Sequence, residues 1–394
     1  ASTVPGTSIV GLDFAPDRGV SFDSLLARSK GSARNPHTDL SCPLLIVYTS
    51  GTTGRPKGAV LRQEALFWNG VMSQHMHNMT SDDHVLTVLP FFHVGGLNIQ
   101  TTPALQLGAT VTIHARFAPD TALGAIEHGR PTLTVLVPAI IQAVSDHPAW
   151  ATTDLSSLRA VATGSTIVPP HLVDRFVTRG VPVLQVYGST ETCPIAVYTR
   201  LGGDLARAGS TGLPGLCCEA KVIDQSGREV AAGTPGEIAV RGPNVFFEYW
   251  GNAEATREAL HDGWYRTGDI GLCDTDGYFW VRDRKKNMII SGGENVYPAE
   301  VERVLLEHPD VSECAVIGRP DPRWDEVPVA YVIRRSGSID AEGLKAHLQA
   351  QLARYKIPRD IVFVTDMPRT ALGKVQHFML KQLDAQTRTQ GEAF

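Results

Sequence analysis

The stretch Tyr48-Thr-Ser-Gly-Thr-Thr-Gly-Arg-Pro-Lys57-Gly58 decides how this chain reads. An apolar run at 44–48 precedes it and reads as a strand, and an amphipathic, helix-like segment at 64–79 follows it. Gly51, Gly54 and Gly58 let the backbone take positive φ and turn its N–H groups outward. Thr49, Ser50, Thr52 and Thr53 add hydroxyls, and Arg55 and Lys57 add positive charge. Donors of this kind on one loop suit a polyphosphate. A Walker A loop is excluded by spacing. Starting at Gly51 it would need glycine where Pro56 stands, and Ser or Thr where Gly58 stands.

Outward from the loop, short apolar runs at 85–89, 110–113, 133–137, 158–162 and 183–186 alternate with helix-like segments at 120–128 and 170–179. Strands alternating with helices predict βαβ units and a mostly parallel sheet. After Gly209, turn residues separate short strands at 219–223 and 237–241, which reads as a smaller β subdomain. The charged break Asp283-Arg284-Lys285-Lys286-Asn287 precedes a last α/β unit. In that unit helices are expected at 299–307 and 341–353, and strands at 314–317, 329–333 and 361–364. The boundary is placed near Lys286, giving domains 1–285 and 286–394.

The 394 residues are 43% hydrophobic and 20% charged, an ordinary globular composition. A net charge of -5, from 36 basic and 41 acidic residues, supplies no bulk cationic field for nucleic acid. The most apolar stretch, 132–144, is too short to span a membrane and carries Pro138. Peripheral membrane contact and oligomeric state stay open. Cys42, Cys193, Cys217, Cys218, Cys273 and Cys314 form no CxxC and no zinc spacing. Scattered single thiols and the lack of a signal-peptide pattern lead to the expectation of a reducing cytoplasm.

The loop at Thr49–Gly58 resembles the signature loop of the adenylate-forming enzymes, the family of acyl-CoA synthetases, firefly luciferase and peptide-synthetase adenylation domains. Further motifs follow in the family's order. They are Pro90-Phe-Phe-His93, Tyr187-Gly-Ser-Thr-Glu191, Tyr265-Arg-Thr-Gly-Asp269, Asp283-Arg284, Ser291-Gly-Gly-Glu-Asn295 and Pro368-Arg-Thr-Ala-Leu-Gly-Lys374. The resemblance implies an α/β fold: a large N-terminal domain of mostly parallel sheets with a small β subdomain, and a small mobile α+β C-terminal domain. It also implies an activity. A carboxylic acid joins ATP to give acyl-adenylate and pyrophosphate, and the acyl group then passes to a thiol, usually that of coenzyme A. Such chemistry asks the protein to hold two mutually repelling anions in contact.

By resemblance, Lys374 bridges the acid and the α-phosphate. Glu191 helps hold Mg²⁺, an ion content with one carboxylate and several waters. Thr190 stands near the α-phosphate, and Thr49, Ser50, Gly51, Thr52, Thr53 and Lys57 take the phosphates. Tyr187 and Gly188 border the adenine, Asp269 accepts from the ribose hydroxyls, and Arg284 contacts the ribose. Gly164, Ser165 and Thr166 fill the adenine and acyl loop, where relatives often carry Gly-Gly-Ala. The added atoms at 165 and 166 are expected to narrow the pocket floor. His93 gates the acyl pocket beside Gly95 and Gly96. Lys286 is the hinge, and Gly292 and Gly293 leave space for the pantetheine arm of coenzyme A.

Only 48 residues precede the loop, where relatives carry most of another subdomain. A chain missing its first part is therefore expected. Gly95 and Gly96 suggest an open entrance, and the expected acid is a medium- or long-chain fatty acid. The runner-up is an aryl or succinylbenzoate-like acid. A ligase that loads a carrier protein, and a binding protein that retains the nucleotide without catalysis, are the competing readings.

Overall fold

The computed structural model describes residues 10–11, 20–29, 37–49, 56–165, 168–203, 205, 207, 209–335, 339–369 and 375–390. Packing divides the chain into residues 1–40 and residues 41–394. In the first unit, Val10–Gly11 pairs in parallel with Val20–Ser21. The helix Phe22–Arg28 follows, with Ser21 accepting from the Ser24 N–H at its start.

The second unit is built around a seven-stranded sheet. Its order is Leu213–Pro214, Val197–Tyr198, Val183–Tyr187, Ala160–Gly164, Leu133–Val135, His84–Thr87, Thr110–Ile113. The last five run parallel, and the first two pair antiparallel at one edge. Side chains alternate between two apolar layers. Val85, Leu133, Ala160, Ala162, Leu184 and Val186 enter one core, while Leu86, Val161 and Val183 enter the other. A sheet buried on both faces needs near-continuous apolar strands, which is the pattern the sequence carries. Proline opens the helices Pro119–Gly129, Pro138–Ser145, Pro170–Val177 and Pro298–Leu306. The first helical turn has no partner for that N–H and favours the ring's fixed φ.

The expectation that a helix follows the Gly-rich loop is corrected. Pro43–Thr49 pairs antiparallel with Lys57–Arg62, so residues 50–56 connect two strands of a hairpin. The helix Gln63–His77 begins only afterwards. These strands join Glu248–Tyr249 in a three-stranded sheet apart from the large one. The local reason is composition: Gly-Ala-Val-Leu at 58–61 is apolar and buried, a central strand rather than the first turn of a helix.

The strands Glu219–Ile223, Gly236–Arg241, Trp264–Cys273, Leu260–His261 and Phe279–Arg284 form a five-stranded antiparallel sheet. A last sheet, built on the long pair Val311–Asp321 and Asp325–Arg334, carries Ile289–Ser291, Glu294–Val296 and Asp360–Phe363. The helices Pro298–Leu306 and Ala341–Gln349 cover it, with Val301, Val304, Leu344 and Leu348 in its core. The architecture is α/β, with a large N-terminal sheet domain and a small C-terminal domain.

Candidate active site

Two antiparallel neighbours anchor one side of the site. Asp269 and Arg284 stand opposite each other in the pairing of Trp264–Cys273 with Phe279–Arg284. Cross-strand partners of opposite charge attract, and Arg284 Nε lies 2.7 Å from Asp269 Oδ1. The Tyr187 hydroxyl, at the C-terminal end of its parallel strand, donates to Asp269 Oδ2 at 2.8 Å. Burial, reinforced by the Asp269 charge, raises the Tyr187 phenol well above its ordinary range, so it stays a donor. The Asp269 carboxylate raises Arg284 in turn, so the guanidinium stays charged. The structure thus brings together Tyr187, Asp269 and Arg284, residues distant in sequence.

Glu191 is buried in the short turn Thr190–Thr192, which Ser189 caps. Its Oε1 accepts from the Tyr249 hydroxyl at 2.7 Å. Burial and the Glu191 charge raise the Tyr249 phenol and keep it protonated. Lys57 Nζ lies 5.2 Å from the centre of the Tyr249 ring, within range of a cation–π attraction. Thr49 and Lys57 face each other across the hairpin. A cation, a phenol and a carboxylate therefore run in sequence from the Gly-rich loop to Glu191. The Tyr265 hydroxyl accepts from Ser189 Oγ at 3.4 Å beneath this turn.

Sequence reasoning missed Tyr249 entirely and assigned Tyr265 no role. No local signal marks Tyr249, because its strand is two residues long and its partner Glu191 lies 58 positions away. Tyr265 sits inside a quoted motif, and that position was the available signal.

His93 caps the short turn Val94–Gly96, its Nδ1 accepting from the Gly95 N–H at 3.0 Å. That bond assigns the proton of a neutral ring to Nε2, where it can donate to a carboxylate. Gly95 and Gly96 have packing reasons of their own. A Cβ at 96 would stand 2.5 Å from Pro90 O, and one at 95 would stand 2.9 Å from His93 Nδ1. Both glycines also line a small cavity with Leu86, Thr87 and Val135.

Gly164 and Ser165 close the strand beside Tyr187, and Ser165 holds φ at 71°. That left-handed backbone is one that glycine adopts without steric cost. A Cβ at Gly188 would meet Pro194 O at 1.7 Å. Gly292 and Gly293, with φ of 60° and 86°, form the two-residue turn between Ile289–Ser291 and Glu294–Val296. Paired positive φ suits a type I′ hairpin. The Gly292 N–H donates to Trp324 O at 2.8 Å, within the C-terminal sheet. Lys286 lies in the turn between Phe279–Arg284 and Ile289–Ser291, strands of different sheets. Burial, aided by Arg284, lowers its ammonium pKa. Ser50, Gly51, Thr52, Thr53, Thr166 and Lys374 lie outside the described residues.

Among the described residues no cluster of three or more His, Cys, Asp or Glu could hold a metal. A single buried carboxylate such as Glu191 nonetheless fits Mg²⁺, which keeps most of its shell as water and substrate phosphate.

An AMP-binding enzyme family model matches residues 5–250, and the C-terminal domain model of AMP-binding enzymes matches residues 300–374. An indoleacetate–CoA ligase of Aromatoleum aromaticum is 51% identical over 380 residues, 96% of this chain and 74% of its own length. A feruloyl-CoA synthase of Amycolatopsis sp is 45% identical over 332 residues, 84% of this chain and 68% of its own. The o-succinylbenzoate coenzyme A synthetase of Bacillus subtilis in complex with ATP and magnesium ion superposes with a TM-score of 0.83 at 32% identity. That superposition covers 92% of this chain and 75% of the other. With its motifs in order, its strand-end residues converging and both halves matched, the chain belongs to the AMP-binding enzymes, the adenylate-forming family.

Proposed function

We propose that the chain is an ATP- and Mg²⁺-dependent, AMP-forming acid–CoA ligase whose acid is aromatic. The 51% identity to the indoleacetate–CoA ligase carries the reading, and the feruloyl relative supports it. Both favour the aryl runner-up over the fatty acid expected from Gly95 and Gly96.

In the first step a carboxylate oxygen of the acid attacks the α-phosphorus, the bond to pyrophosphate breaks, and pyrophosphate leaves with the electron pair. In the second, the coenzyme A thiolate attacks the acyl carbon and AMP leaves. Asp269, oriented by Tyr187 and Arg284, accepts from the ribose hydroxyls, while Gly164, Ser165, Thr166 and Gly188 border the base. Residues 49–53 with Lys57 take the phosphates, Thr190 stands beside the α-phosphate, and Glu191 holds the cation. Magnesium, when bound, screens the phosphate charge that repels the incoming carboxylate. The His93 Nε2–H donates to the acid, and Lys374 bridges acid and α-phosphate. Lys286 is the hinge between domains 1–285 and 286–394, and the turn at Gly292 and Gly293 accepts the pantetheine arm. No helix among the described residues is long and apolar enough to cross a membrane. A cytoplasmic setting is part of the proposal, supported by six cysteines free of disulfides.

Pyrophosphate release is measured with ATP and Mg²⁺ across aryl, fatty and dicarboxylic acids, with and without coenzyme A. The expected result is aryl release at least about 10-fold above fatty-acid release, a margin of about 1.4 kcal/mol, accelerated by coenzyme A. Faster release with fatty acids would restore the alkyl reading. Aryl release indifferent to coenzyme A would favour a carrier protein as acceptor.

A further inference from the structure

The first helix of the C-terminal domain, Pro298–Leu306, has no cap of its own. Tyr297, the residue before it, makes no side-chain bond to the free N–H groups of its first turn. An acceptor from the other side of the proposed hinge takes that place: Asp283 Oδ2 accepts from the Ala299 N–H at 2.8 Å. Asp283 lies on the strand Phe279–Arg284, just before Lys286. Neighbours on a strand point to opposite faces. Here Arg284 turns to Asp269 while Asp283 turns to the helix. Asp283 is buried, and burial pushes its carboxyl up to about 6 although the bond from Ala299 lowers it. A buried carboxyl is disfavoured unless hydrogen bonds compensate. Its Oδ1 accepts from the Arg284 N–H at 2.6 Å and from Asn287 Nδ2 at 3.4 Å.

The same helix joins this contact to the end of the chain that carries Lys374. Residues three apart share a helix face, and Glu302 stands three positions after Ala299. Glu302 Oε1 accepts from the Val316 N–H at 2.8 Å and faces His377 Nε2 at 3.3 Å. His377 begins the helix His377–Gln390. Burial lowers its imidazole pKa, but the bond to Glu302 and the charges of Glu302 and Asp283 outweigh it and leave the ring raised. Lys374 precedes His377 by three residues, about 10 Å of fully extended chain. Arg369 and Val375 form a bridge, and the Gln376 N–H donates to Pro368 O at 2.8 Å. Both ends of the segment 370–374 are thus tied together next to His377.

We propose that Asp283 is a positioning residue for the first half-reaction: it caps the helix Pro298–Leu306 from across the hinge and so holds the arrangement in which Lys374 serves the nucleotide site. The inference rests on the proposed hinge and lysine roles and adds the contact that favours one arrangement over the other. Ala299, Glu302 and His377 all lie beyond Lys286, so a rotation there carries them away from Asp283 together. Arg284, the next residue, faces Asp269, so the contact is made at the strand end assigned to the ribose. A two-state equilibrium shifts only through contacts that differ between its states, and this cap is such a contact.

Single-turnover adenylation and thioester formation from preformed acyl-adenylate are measured separately, with the acid that gives wild type its fastest pyrophosphate release. Asp283→Ala removes the cap, and adenylation is expected to fall about fivefold, the ratio that corresponds to the loss of one helix cap. Thioester formation is expected not to fall. Asp283→Asn keeps an acceptor for the Ala299 N–H and is expected to stay within about twofold of wild type in both steps. Unchanged adenylation in Asp283→Ala, equal falls in both steps, a fall in thioester formation alone, or an Asp283→Asn variant as slow as Asp283→Ala overturns the inference. Tryptic cleavage after Lys285 and Lys286 reads the same contact without substrate. It is expected to be about fivefold faster in Asp283→Ala than in wild type or Asp283→Asn, and equal cleavage overturns the inference. Cleavage confined to these sites separates an opened contact from a general loss of folding, which exposes sites throughout the chain. A wild type that releases no pyrophosphate with any acid overturns the ligase reading and leaves the cleavage assay to decide the contact.

Discussion

Tyr187, Asp269 and Arg284 satisfy one another, whereas the carboxamide oxygen of Gln100, at the other end of the proposed site, meets no partner among the described residues. The first region is a finished network of charge and phenol on strand ends. Its groups are oriented before any ligand arrives, which suits a ligand that stays the same at every turnover. The second is a small cavity of mixed polarity beside one acceptor that has no partner among the described residues. A shared nucleotide calls for the first kind of construction, and the second has room for little more than water.

Five substitutions break or sharpen this contrast. The largest effect is expected at Asp269, because Asp269→Ala removes the group that both Tyr187 and Arg284 address. Truncating one partner of a hydrogen-bonded charge pair predicts about a 10³-fold fall in kcat/KM for pyrophosphate release, equal across all acids. An acid-dependent loss would show that the two regions are not separate.

Glu191→Gln keeps the shape and an acceptor but removes the charge. About a 10²-fold loss is expected, with a higher Mg²⁺ concentration needed for half-maximal rate. An unchanged magnesium dependence would remove Glu191 from the cation site. Tyr249→Phe leaves Glu191 Oε1 without its donor, and the rate is expected to fall about 10-fold. A double substitution with Glu191→Gln tests the coupling, since two groups acting through one contact lose less together than the sum of their separate losses.

The smallest effect on rate belongs to the acyl side. Gly95→Ala sets a Cβ against the His93 ring, and a shift of about 0.5 kcal/mol, or roughly twofold in rate, is expected. Gly96→Ala meets backbone carbonyls instead. Overpacking of that kind costs about 1–3 kcal/mol of stability, read as a lower midpoint in thermal denaturation. Equal midpoints for the two variants would argue against the close approach at Gly96.

Much of the site was legible from the chain. Asp269, Arg284, Tyr187 and Glu191 stand in motifs whose order and spacing identify the family, and the alternation of apolar runs announced the parallel sheet. Two readings went astray for physical reasons. The loop at 50–56 was assigned to a strand–helix junction because an apolar run before a helix looks the same whether or not a second strand intervenes. The acid was read as aliphatic from Gly95 and Gly96, whereas the similar ligases are named for aromatic acids; two residues do not describe the shape of a pocket built by several elements.

The amino-acid sequence by itself determined the family, the alternation of strands and helices, and the residue types proposed to face phosphate, ribose and cation. These depend on neighbours within a few positions along the chain, where the periods of helix and strand operate. The tertiary structure alone decided which groups meet. Asp269 faces Arg284 through strand register, and Tyr249 reaches Glu191 across 58 residues. Gln100 lies beside a reversal of strand order that no local pattern announces. Register and sheet order are set by the packing of the whole core, so contacts that depend on them are not written in any single stretch.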